Sequence, residues 1–177
     1  ERARADLVGR TLEQIAAARG VEPVIAALDI ILTGDASVAS FNMDEPDIVR
    51  LMQQDFVFTG SDGSDGHPRK YGSFPKKLRE YVMEKRVMSL EDFVRRSSGA
   101  PAEALGIAER GTITRGQFAD VIVFNPARVR DRSTYEAPTQ LATGMSFVII
   151  NGKVAVEQGT RTGVLAGRAL RRKSAAP

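Results

Sequence analysis

Cysteine is missing from this chain of 177 residues, and histidine occurs once, at His67. The first absence excludes a disulfide framework and any thiolate metal site. The second means that these residues cannot build a histidine-rich zinc site by themselves. No apolar run approaches the ~20 residues that cross a bilayer, so a membrane is not an expected partner. The longest apolar stretch, Val24 to Leu32, is broken by Asp29 and reads as a buried helix. A signal-like segment is lacking too. The chain opens on Glu1, so any targeting signal is expected upstream of it, and the expected location is the cytoplasm. Charge of one sign is also scarce, with 25 Lys and Arg against 22 Asp and Glu. Much of the small excess sits in Arg168, Arg171, Arg172 and Lys173, with no aromatic residues among them to stack bases. That stretch reads as a solvated tail, and nucleic acid is not an expected partner.

What is present suits a folded domain. Hydrophobic residues make up 42% and charged residues 27%, and the length allows a real core. Thr11-Leu12-Glu13-Gln14 fits a capping box, which predicts a helix from there to Gly20. Pro23 suits a first helical turn, and Val24, Ile25, Leu28, Ile31 and Leu32 follow at helical spacing. Ser37 to Asn42 alternates weakly as a short strand. Asp44 can cap a helix with Pro46 just inside it. Asp55 to Gly60 reads as a second strand with an apolar centre. Strand, helix, strand is the βαβ pattern and implies parallel strands. Further helices are expected from Pro75 to Lys85, from the Ser-x-x-Asp cap at Ser89, and from Pro101 to Gly106. Beyond Gly111 the texture turns to strands. Phe118 to Phe124 is one, and Phe147 to Ile150 pairs with Lys153 to Glu157 across Asn151-Gly152, a strong hairpin signal. Two parallel strands and a few antiparallel ones do not close a fold. The sheet is therefore expected to be completed by chain outside this sequence.

The chemistry concentrates in Gly60-Ser61-Asp62-Gly63-Ser64-Asp65-Gly66-His67-Pro68-Arg69. This polar loop follows the second expected strand, where α/β active sites sit. Asp62 can ligate a metal or move a proton, though Ser-Asp-Gly is equally turn chemistry. Asp65 fits the turn reading better. His67 can be a ligand or a hydrogen-bond donor, and beside a proline it is as readily structural. Arg69 has the geometry to clamp a carboxylate, and a surface arginine is its plain alternative. Phe41 and Met43 can line an acyl pocket or simply belong to a core.

Gly60-Ser61-Asp62-Gly63-Ser64 with His67-Pro68-Arg69 and Tyr71-Gly72-Ser73-Phe74-Pro75 resembles the N-acyl-D-amino-acid deacylases of the amidohydrolase superfamily. Phe41-Asn42-Met43-Asp44-Glu45-Pro46-Asp47 shares the resemblance. So do Ala119-Asp120-Val121-Ile122-Val123-Phe124-Asn125-Pro126, Val148-Ile149-Ile150-Asn151-Gly152, and the closing Thr162-Gly163 with Gly167-Arg168. The Ala-Asp and Asn-Gly pieces are common to many amidohydrolases; the loop motifs are more specific. The resemblance implies an α/β fold. It is the C-terminal portion of a (β/α)₈ barrel over residues 1–110, then strands of a small β-sandwich over 111–177, incomplete on its own. It implies that Asp62 is the catalytic acid/base and a metal ligand. Arg69 is expected to bind the substrate carboxylate, with Met43, Ser61, Gly63 and His67 around the substrate. The implied cofactor is Zn²⁺, with most ligands upstream. The implied partners are that upstream remainder and a small N-acyl amino acid, and the oligomeric state is left open.

Two other classes compete. One is a hydantoinase-like or dihydroorotase-like enzyme acting on cyclic amides, for which a carboxylate clamp at Arg69 has no use. The other is a non-catalytic interaction module whose basic tail meets an acidic partner. The composition itself makes a testable statement. With one histidine and no cysteine, this chain alone should lose zinc on dialysis, as metal analysis will show. Stoichiometric zinc surviving dialysis would place the metal site within these residues.

Overall fold

The computed structural model describes residues 6–34, 38, 40, 42–63 and 66–171. They belong to two compact units, Glu1–Asn42 and Met43–Pro177.

In the first unit, α1 (Leu12–Arg19) begins at the expected capping box. Thr11 Oγ1 accepts the Gln14 N–H at 3.2 Å, and Gln14 Oε1 accepts the Thr11 N–H at 2.9 Å. These contacts satisfy two donors that a helix start leaves bare. Gly20 closes α1 in the left-handed conformation. Pro23 opens α2 (Pro23–Thr33). The two helices pack together and bury Ile15, Ala16 and Ala26. The expectation of a buried α2 is not met. Ile31 and Leu32 are 71% and 82% exposed. A helix this apolar needs cover on several sides, and the first unit offers it one short neighbour. The strand expected over Ser37 to Asn42 falls largely on residues outside those described.

The second unit starts with α3 (Glu45–Met52), where the Asp44 carboxylate accepts the Glu45 N–H at 2.9 Å. Then come α4 (Arg69–Lys76), α5 (Leu90–Ser97) and α6 (Gly99–Ala104). Helix α4 starts six residues before the position expected from Pro75, which lies inside it. Pro75 has no N–H to give to the preceding turn. The helix continues past it with wider π-type turns over Lys77–Glu84, ending on a bond from the Lys85 N–H to the Glu80 carbonyl at 2.8 Å. Leu78, Val82, Met88, Phe93 and Val129 form the core of this unit. Phe124 and Met145 of the sheet pack against it, so helices and sheet share one core.

The second expected strand, Asp55 to Gly60, is absent. Val57 donates back to the Gln54 carbonyl at 3.2 Å in a turn, and Thr59 donates to the Arg96 carbonyl at 3.2 Å. Phe56 is 75% exposed. A strand exists only through a neighbour's ladder, and here a helix end takes the place of that neighbour. Among the described residues there is consequently no βαβ unit.

The sheet is an antiparallel meander in the order β1 (Val121–Phe124), β2 (Met145–Ile150), β3 (Lys153–Glu157), β4 (Thr160–Arg161). Asn151 and Gly152 both have positive φ, as a tight hairpin turn requires. Gln158 and Gly159 repeat that geometry and add β4, a strand the sequence reading lacked. The turn is locked to β1's approach. Asn151 N–H donates to Asp120 Oδ1 at 2.8 Å, and Gly152 N–H to the Ala119 carbonyl at 2.9 Å. Arg110 pairs with Asp120, reaches Asn151 Oδ1, and stacks on Phe118. Arg168 is exposed and lies over Phe118 at 4.0 Å from the ring centroid, so this part of the basic end is solvated yet rests on the sheet. Arg172 and Lys173 lie outside the described residues. Gly144 has φ 93 and would place a Cβ 2.6 Å from the Arg128 carbonyl carbon. Only glycine lets that approach to β2 pass. No helix among the described residues is long and apolar enough to cross a membrane.

Arg96 joins α5 to the end of α3. Its guanidinium is buried, with Nη1 donating to the carbonyls of Met52 at 2.8 Å and Gln54 at 2.6 Å. Arg96→Met should strip both carbonyls of their donor and cost about 3 kcal/mol of stability. Urea unfolding checks this; an unchanged midpoint would mean that water replaces the arginine without loss.

Candidate active-site loop

The candidate loop is held from behind. Thr59, three residues ahead of Asp62, accepts a bond from Lys77 Nζ at 3.0 Å through its hydroxyl, which also meets Ser97 Oγ at 3.1 Å. Lys77 is buried. Burial pushes its ammonium pKa down, and the nearby Arg96 charge pushes it the same way. The chain therefore leaves the helical layer at a fixed point before it enters Gly60-Ser61-Asp62-Gly63.

Asp62 sits in the left-handed region at φ 53, with Oδ1 accepting the Gly63 N–H at 2.6 Å. That is the turn geometry open to aspartate. Its other oxygen, Oδ2, meets Arg69 Nη2 at 2.8 Å. The two residues singled out for chemistry are thus brought together. Asp62 is 71% exposed and Arg69 38%, so the pair is reachable from solvent.

Arg69 is the first residue of α4. Its N–H donates to His67 Nδ1 at 3.1 Å, and its carbonyl accepts Ser73 Oγ at 2.7 Å. An imidazole nitrogen that accepts is unprotonated, so the proton of neutral His67 is on Nε2. That Nε2 faces the Tyr135 hydroxyl at 3.3 Å, and the two rings meet edge to face with centroids 5.2 Å apart. His67 therefore orients the start of α4. Ser61 is half-buried, and Gly63 is tied to Asp62. Met43 is 63% exposed ahead of α3. Asp65 lies outside the described residues.

Three residues enter the picture that the sequence reading did not single out. Ser133 Oγ donates to the Pro68 carbonyl at 3.0 Å. Tyr135 meets His67 as above. Asp131 accepts Arg79 Nε at 2.6 Å and Nη2 at 3.3 Å. All three lie on the connection between β1 and β2, more than fifty positions from their partners, and no local signal marks such pairings.

Metal-binding groups are sparse. No cluster of three or more His, Asp or Glu suited to a metal occurs among the described residues. Asp62 offers one carboxylate at the loop.

With this geometry in place, likeness to known proteins can be weighed. The model of the Amidohydrolase family matches residues 7–156. A D-aminoacylase from Alcaligenes xylosoxydans xylosoxydans is 37% identical over 174 residues, covering 96% of this chain and 35% of that protein. A crystal structure of D-aminoacylase superposes with a TM-score of 0.85 at 38% identity, over 94% of this chain and 35% of that one. The structure of N-acyl-D-glutamate deacylase from Bordetella bronchiseptica, complexed with zinc and a phosphonate inhibitor, gives 0.76 at 38% identity. That match covers 86% of this chain and 32% of the other. The chain thus spans about a third of the length of the relatives it matches.

The Asp131–Arg79 link has a pH signature. The guanidinium holds the Asp131 carboxyl below its usual range, which is about 3.9 when unfolded. A depressed folded value means stability that is present above about pH 4 and lost as pH falls through the folded value. Asp131→Asn should therefore cost stability at pH 7 and much less at pH 3, as urea midpoints at the two pH values will show. Equal losses at both would leave the ion pair without a contribution.

Proposed function

This chain belongs to the Amidohydrolase family, and from that premise we propose that it is the C-terminal part of a zinc-dependent N-acyl-D-amino-acid deacylase. The observation that carries the reading is the Asp62–Arg69 pair. A guanidinium at the start of a helix holds a carboxylate in a solvent-reachable loop, which is the recognition an α-carboxylate needs. A cyclic amide without a carboxylate leaves that arginine without a purpose.

In the proposed reaction an N-acyl-D-amino acid is hydrolysed to a carboxylate and a D-amino acid. A bound zinc supplies Lewis acidity at the acyl carbonyl and makes water a better acid. Asp62 contributes one oxygen to that centre, takes the proton from the attacking water, and returns it to the leaving nitrogen. Arg69 exchanges Asp62 for the substrate carboxylate, which frees Asp62 for the proton. His67 sets the course of the backbone at Arg69, and Ser61, Gly63 and Met43 border the substrate. The remaining metal ligands come from the upstream part of the same enzyme. The proposal includes the architecture: residues 1–110 complete a (β/α)₈ barrel, and 111–177 supply strands of a β-sandwich. The exposed apolar side of α2 supports it, since such a surface calls for cover. A cytoplasmic location is part of the same reading.

Two substitutions in the completed enzyme separate the roles. Asp62→Asn should lower kcat by about 10² or more with less change in KM. Arg69→Lys should raise KM for the N-acyl-D-amino acid, because an ammonium cannot reproduce a forked contact. The loss should shrink on the α-carboxamide analogue, which never had that contact. Equal losses on acid and amide would make Arg69 structural.

A further inference from the structure

The connection between β1 and β2 touches the loop at two places and the helix that follows it at a third. Asp131 holds Arg79 on the π-helical segment, Ser133 holds the Pro68 carbonyl, and Tyr135 holds His67. The last two grip residues directly ahead of Arg69. His67 passes the constraint on, because its Nδ1 accepts the Arg69 N–H at 3.1 Å. In the tautomer that permits this bond Nε2 carries the proton and faces the Tyr135 oxygen at 3.3 Å, so Tyr135 holds the far side of the ring while Nδ1 accepts the Arg69 N–H. The segments fit closely: a Cβ on Gly72, one turn into α4, would lie 2.5 Å from Ser133 Oγ.

We infer that Ser133 and Tyr135 are positioning residues for carboxylate recognition, acting on Arg69 through Pro68 and His67 from the far side of the sheet connection. The inference rests on the reading of Arg69 as the carboxylate clamp. Their influence is confined to the start of α4. The contacts they make are to Pro68 and His67, ahead of Arg69, so the expected effect is on recognition of the carboxylate and not on the proton-moving step. A guanidinium fork works only when both of its donors point correctly. Loosening its backbone anchor should therefore weaken recognition of the acid and leave the turnover of bound substrate unchanged.

The test uses the complete, zinc-loaded enzyme with an N-acetyl-D-amino acid and its α-carboxamide. Tyr135→Phe keeps the ring and loses the hydroxyl. Ser133→Ala loses the bond to Pro68. Gly72→Ala keeps Ser133 but forces its hydroxyl to turn away, and alanine favours the helix, so loss of folding is not the expected result. Each variant should raise KM for the acid about fivefold, the scale of one lost hydrogen bond, with kcat and the carboxamide kinetics unchanged. Arg69→Lys is the reference. If it separates acid from amide while Tyr135→Phe and Gly72→Ala do not, the positioning role is wrong and the clamp stands. If Arg69→Lys treats acid and amide alike, the clamp reading fails and takes this inference with it. Should Ser133→Ala lower the thermal midpoint and shift both substrates equally, its role is structural and the inference is overturned for that residue.

Discussion

Arg96 is the contact on which the placement of the loop depends. A buried guanidinium is costly unless its donors are used. Here it caps the carbonyls at the end of α3, while its own backbone carbonyl takes the Thr59 N–H. Asp55, also bonded to it, is exposed and adds little. The result is a rigid route from α3 to Thr59 that needs no strand. Lys77 then fixes Thr59 from the other side. Burial first, and the neighbouring Arg96 charge second, push the Lys77 pKa down. The ammonium and both terminal guanidinium nitrogens find oxygen acceptors, while the buried Arg96 Nε has none.

From Thr59 onward, position is inherited. Asp62 takes its place from a turn, Arg69 from a helix start, and that helix start from residues that follow β1. The same economy appears on the sheet. The Ala119-Asp120 and Asn151-Gly152 pieces, separated by thirty positions, meet as a hydrogen-bonded lock under Arg110. These two pieces serve to join the hairpin to its neighbouring strand.

How far the sequence could be read depended on the range of the forces involved. Thr11 with Gln14, Asp44 with Glu45, and Ser89 with Asp92 are neighbours in sequence, so their helices were legible. Asn151-Gly152 was legible for the same reason. Pro75 misled, because a wider helix can follow a missing donor, and the start of α4 was placed too late. Asp55 to Gly60 misled in the opposite direction: its apolar centre reads as a strand, but no strand pairs with it among the described residues. Asp62 and Arg69 were visible as residue types, and their meeting at 2.8 Å required coordinates. Ser133 and Tyr135 had no local mark at all. Their meaning comes only from what lies opposite them.

The two tight turns of the meander bear on how the chain finds its fold. Strands β2, β3 and β4 follow one another with only Asn151-Gly152 and Gln158-Gly159 between them. Closing such short loops costs little entropy, and contacts close in sequence form fast. By contrast β1 must wait for the whole connection through Ser133 and Tyr135 before it pairs with β2. The three strands of the meander are thus joined at little entropic cost, and the larger closure cost falls on the connection that carries Ser133 and Tyr135.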